Sequence, residues 1–179
     1  MKNKRITKTY KLILSALFLA MGLTLPFLTG QIPELGNMLL PMHLPVMLCG
    51  LLLGPSYGVA VGAITPLLRS LIFGRPVIFP AAVAMAAELA TYGAVIGTLY
   101  ALSRKQSIGA LYLSLITSMV VGRVVWGATM AALMGFNGFT VSYFMTEAVF
   151  NAVPGIVLQL VLIPSLMLLL RRTRLSADR

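Results

Sequence analysis

IGALYLSLITSMVVGRVVWGATMAALM, residues 108–134, runs for 27 positions with one charged side chain, Arg123. At 1.5 Å per residue a helix of that length covers about 40 Å. That exceeds the hydrocarbon core of a bilayer, about 30 Å. The run lacks the strict alternation of a barrel strand and is too long for one. It reads as a membrane-crossing helix, and the rest of the chain can be placed around it.

Upstream, the short basic loop Ser103-Arg104-Lys105-Gln106 separates this run from another at about 80–102. Gly74-Arg75-Pro76 and Gly54-Pro55-Ser56 are turn signals. They delimit runs at about 57–73 and 38–54. Pro41 and Pro45 fall in the first turns of the latter, where a missing N–H is tolerated. Pro66 is a candidate kink within the former. The first run, about 10–28, follows a basic start; it is long for a signal core and lacks a good cleavage site, so it reads as a retained helix. Downstream, Gly135 to Phe139 forms a loop before a last run at about 141–170, long enough to tilt or to begin as an interfacial turn.

The count is six spans in one domain, residues 1–179, an all-α integral membrane bundle. Composition agrees: of 179 residues 59% are hydrophobic and 10% charged, against about 45–50% and about 25% in soluble domains. Mean hydropathy is +0.94. An ordinary cytosolic enzyme, a disordered chain and a secreted disulfide scaffold are excluded; Cys49 is the sole cysteine.

The net charge of +10 points to membrane topology rather than nucleic acid. Lys2, Lys4, Arg5, Lys8 and Lys11 precede the first run, Arg104 and Lys105 interrupt the chain, and Arg171, Arg172, Arg174 and Arg179 follow the last run. In a six-span count all three clusters fall on one side, while the opposite loops hold only Glu34 and Arg75. Lys and Arg favour the cytoplasmic side, so both termini are expected inside, in the plasma membrane.

Ionisable groups within spans are costly and are functional candidates by default. Here they are His43, Arg69, Glu88, Arg123 and Glu147, with Asn151 close to the last. In the six-span topology all lie in the outer half. A proton relay or pore would need polar groups through the full thickness; a site that catches a small molecule from outside needs only this half. Aromatic side chains, among them Phe73, Tyr92, Trp126, Tyr143, Phe144 and Phe150, offer its apolar body. Glu88 with Tyr92, and Arg123 with Trp126, have same-face helical spacing. The candidate substrate-binding set is therefore His43, Arg69, Glu88, Tyr92, Arg123, Trp126, Glu147 and Asn151. Competing readings make the two arginines and two glutamates a pair of buried salt bridges, Trp126 an interfacial anchor, and Arg75 and Glu34 solvated loop residues.

No phosphate loop, zinc-ligand set, nucleophile elbow or His-Glu-x-x-His occurs. The expectation is no enzyme, no cofactor and no metal. Any driving energy must come from a partner or a gradient.

ALFLA (16–20), MHLPVMLCGLLLGPSYG (42–58), TPLLRS (65–70) and AAELATYG (86–93) together resemble the substrate-binding S components of energy-coupling factor (ECF) vitamin transporters. The likeness is to the subgroup that includes pantothenate, folate and cobalamin binders. The resemblance implies a subunit that binds its vitamin outside, docks on a transmembrane coupling subunit carrying two ATP-binding-cassette ATPases, and topples to deliver inward. Ala16 and Ala20 match the Ala-x-x-x-Ala docking patch of the family's first helix. The family's lid between helices 1 and 2 corresponds to residues 29–37, with Gly30 and Gly36 as hinges. Binding residues differ between family members and do not carry over. Two membrane arginines suit a carboxylate such as pantothenate; two glutamates that neutralised them would leave a neutral pocket. The alternative is a gradient-driven secondary transporter acting alone, which would want ionisable groups at midplane and internal repeats.

Overall fold

Four glycines set the centre of the bundle. In a computed structural model describing residues 8–29, 39–103, 107–135 and 140–177, helix α2 (His43–Leu53), α3 (Pro55–Phe73) and α4 (Val83–Leu102) cross at Gly50, Gly58, Gly93 and Gly97. A Cβ on Gly93 would stand 2.7 Å from Gly58 Cα, and one on Gly58 would stand 2.8 Å from Gly93 Cα. The contact is backbone on backbone. In lipid, where apolar side chains gain nothing by leaving their surroundings, such close approach is a main source of helix association. On α4, Gly93 and Gly97 thus serve internal packing.

Around this crossing stand α1 (Lys8–Thr24), α5 (Ile108–Met134), the short α6 (Val141–Phe144) and α7 (Val153–Ala177). No strand occurs among the described residues. α4 is the hub, packed on α2, α3 and α5. Met47, Leu89, Ile96, Leu115 and Ile163 are fully buried in the main core.

Among the described residues, five segments are long and apolar enough to cross a bilayer: Lys8–Phe27, Pro55–Phe73, Ile78–Leu102, Ile108–Met134 and Val153–Leu170. The segment expected as a sixth span from residue 38 has its helix only from His43 to Leu53. Eleven residues cover about 17 Å. Met42 is the residue before the first turn of this helix, and Pro41 stands just ahead of it. Leu40 has φ 49°. Pro45 lies in the first turn, as expected.

Two other boundaries differ from the sequence reading. Before α4 stands a wide turn, Ile78–Ala82, in which Phe79, ahead of Pro80, is extended (φ −121°, ψ 130°). The last run is divided: α6, a wide turn at Met145–Phe150 and a turn at Asn151 precede α7. α3 begins with Pro55 in its first turn. It ends at Gly74, whose φ of 69° closes the helix with an N–H bond to Ser70 O. α5 starts as expected, with Ser107 capping Ala110 N at 3.2 Å.

On α1 the buried residues are Ser15, Phe18 and Gly22. Ala16 and Ala20 lie exposed, beside exposed Leu17. Glu34, the expected lid with Gly30 and Gly36, and the Arg104-Lys105 loop lie outside the described residues.

Candidate functional site

Glu88 is the organising group. It sits on α4, 1% exposed, and three side chains converge on its Oε1. Tyr92, one turn along, donates its hydroxyl at 2.7 Å. Arg123 of α5 brings Nη1 to 3.2 Å. His43 of α2 brings Nε2 to 3.7 Å, outside hydrogen-bond range, and its ring lies 5.3 Å from that of Tyr92. Same-face spacing on α4 delivers Glu88 and Tyr92 together; packing of α2 and α5 on α4 delivers the other two. Buried carboxylates need paired charge and hydrogen bonds, and here both are present. Gly122 makes room, since a Cβ there would collide with the Tyr92 ring at Cδ1 and Cε1.

Arg69 is arranged differently. It is 6% exposed, and its Nη1 donates to Leu23 O, near the end of α1, at 2.8 Å. The rings of Phe27 and Phe73 stand 5.5 Å from its guanidinium carbon. They meet each other edge to face at 4.9 Å. Of the two salt bridges expected in the membrane, only Arg123–Glu88 forms; among the described residues neither Arg69 nor Glu147 has an ion-pair partner.

These groups border one cavity of about 620 Å³. His43, Glu88 and Arg123 line it, as do Arg69, Phe73, Arg75 and Glu147. Met85, Met130 and Trp126 supply an apolar wall. Trp126 stacks on Tyr143 at 6.4 Å with an 18° tilt and meets Phe144 at 6.3 Å. It faces the cavity and is 9% exposed, which does not suit an interfacial anchor.

Six of the eight predicted binding residues therefore line one space. Tyr92 lies outside the lining and holds Glu88. Asn151, half-buried at the turn before α7, is not part of the wall. Sequence reasoning missed Arg75, expected to be solvated only; it is exposed and also lines the cavity. Its place directly after the helix of Arg69 was the available signal. The methionines gave a weaker one: Met is frequent here, at 11 residues, and adaptable at binding surfaces.

The long apolar helices are those of a membrane protein, and the cavity between them is lined by charged and apolar side chains together. The family model for the substrate-specific component of ECF transporters matches residues 10–168, and the chain belongs to that family. Neither a curated protein nor a solved structure gives a significant match. S components are the substrate-binding subunits of these transporters and are not enzymes.

Proposed function

We propose that this chain captures a vitamin or related micronutrient at the outer face of the plasma membrane, with pantothenate the first candidate. It hands the substrate inward through a coupling subunit driven by two ATPases, and both of its termini are cytoplasmic. The observation that carries the substrate reading is the cavity, where three arginines face two glutamates beside an apolar wall. An excess of guanidinium over carboxylate suits an anion. A volume of about 620 Å³ is in the range for a drug-sized molecule; pantothenate or a pterin fits that scale better than a whole corrinoid.

In this reading His43, Arg69, Glu88, Arg123, Trp126 and Glu147 border the substrate, Tyr92 supports Glu88, and Asn151 serves at the turn before α7. The exposed Ala16–Ala20 edge of α1 meets the coupling subunit, and residues 29–37 close over the cavity. Mass spectrometry of ligand carried through purification, followed by calorimetric titration with pantothenate, tests the substrate. Co-purification with a coupling subunit and ATPases tests the assembly; uptake by the solitary chain under a proton gradient would refute it.

A further inference from the structure

Two arginines reach the cavity from within the bundle, and their surroundings divide their roles. The charge of Arg123 is already matched, because Glu88 stands 3.2 Å from its Nη1 and is itself braced by Tyr92 at 2.7 Å. Arg69 is more deeply buried, and its charge is matched by no carboxylate among the described residues. Its neighbours are one neutral carbonyl and two phenyl rings. A carbonyl dipole and two ring quadrupoles attract a cation, but they do not neutralise it, and a buried charge without a counter-ion is costly.

The same neighbours fix the guanidinium in place. Nη1 is tied to Leu23 O, and the rings of Phe27 and Phe73 flank the group. Only Nη1 is hydrogen-bonded among the described residues. Arg123 likewise keeps Nε and Nη2 buried without a partner, so it is the unmatched charge that sets Arg69 apart: a planar fork held by one arm and facing no carboxylate is ready to take an oxyanion by two parallel bonds with little further loss of side-chain freedom. Glu147, the other carboxylate of the wall, forms no ion pair with it. Arg75 adds a second unmatched positive charge to the same lining, while Met85, Met130 and Trp126 offer apolar surface for the remainder of a ligand.

We infer that Arg69 is the anion subsite of the cavity, taking the carboxylate of an amphipathic monocarboxylate substrate, whereas Arg123 is the fixed counter-ion of Glu88. This rests on the reading of the chain as a substrate-capture subunit. It makes the charge on the substrate, rather than its hydroxyls or ring system, the feature that Arg69 selects.

The test is isothermal titration of the full chain in lipid nanodiscs with pantothenate, panthenol, folate and cyanocobalamin. Panthenol is pantothenate with its carboxylate replaced by a primary alcohol, and cyanocobalamin has no free carboxylate. The expected result is that pantothenate binds tighter than panthenol by about 10- to 100-fold, the scale of hydrogen bonds to a charged group. Arg69→Gln should abolish that preference by bringing pantothenate down to panthenol. Arg69→Lys should restore part of it, and Arg123→Gln should weaken both probes alike.

A merely structural Arg69 would lower both probes together in Arg69→Gln, and that outcome overturns the subsite, as does an unchanged preference. Should Arg69→Gln fail to fold, the wild-type ratio and Arg69→Lys decide: equal binding of pantothenate and panthenol refutes the inference. Folate, a dicarboxylate, bound in an Arg69-dependent way without pantothenate overturns the monocarboxylate reading and removes pantothenate as substrate. Cyanocobalamin as sole ligand overturns the subsite and leaves substrate capture standing. No binding of any of the three vitamins, together with no small molecule carried through purification, overturns both.

Discussion

Replacing Gly122 by alanine tests whether Glu88 of the cavity lining is held through Tyr92. The new Cβ would overlap the Tyr92 ring at Cδ1 and Cε1 and lie 3.0 Å from Cζ. That ring is 2% exposed and has His43 on one side, so it has no free space to enter. Overpacking of this kind costs about 1–3 kcal/mol. Displacing the ring also stretches the 2.7 Å bond to Glu88, and a hydrogen bond to a charged group contributes about 1.5–3 kcal/mol. Alanine's higher helix propensity returns about 1 kcal/mol. The expected net loss is about 1.5–5 kcal/mol, read by denaturant titration in mixed micelles. Tyr92→Leu removes the ring, so the double variant should be less destabilised than the sum of the singles. In Gly122→Ala combined with Tyr92→Phe, the hydrogen-bond share of the coupling should disappear while the steric share stays. Strict additivity of Gly122→Ala and Tyr92→Leu, or a stabilised Gly122→Ala, would refute the close packing of α5 on the Tyr92 ring.

Gly93→Ala should disrupt the bundle further, because its Cβ meets the Gly58 backbone and no side chain can yield; a lower melting temperature with weaker substrate binding is expected, since α3 carries Arg69 and α4 carries Glu88. Arg123→Met should destabilise the protein by about 3–5 kcal/mol by stranding buried Glu88, and adding Glu88→Met should recover most of it; a double variant as unstable as the single would disprove the pairing. Trp126→Ala should weaken binding by about 1–3 kcal/mol if the ring packs on substrate; unchanged affinity in both this variant and Arg123→Ala would remove α5 from the substrate contacts. Ala16→Trp or Ala20→Trp should abolish uptake by the assembled transporter while the isolated chain still binds, because bulk there separates two backbones in lipid; loss of binding would place these alanines in internal packing.

Much of the architecture was legible locally. Long apolar runs, glycine-proline turns and the Ser107 start of α5 are properties of short windows, and the helices followed them. Divergence came where neighbouring residues conflict. Pro80 forces Phe79 out of the helix, which set the wide turn before α4, while α2 begins only at His43 after the positive φ of Leu40. In the last run the helical turn widens over Met145–Phe150 and Asn151 keeps right-handed helical angles ahead of α7.

From sequence alone came the membrane class, the inventory of buried charge and the same-face pairs Glu88–Tyr92 and Arg123–Trp126, because helical periodicity relates residues three or four apart. Which charges meet was decided by tertiary structure. Two arginines and two glutamates allow several pairings, and the rotation and depth of each helix select among them. The Gly58–Gly93 contact draws α3 and α4 together, and Gly122 lets α5 settle on the Tyr92 ring. Arg123 thereby reaches Glu88, and Arg69 is left between two phenylalanines with its charge unmatched. Coulomb attraction depends on separations of a few ångströms between different helices, and those separations arise only when the backbones have packed.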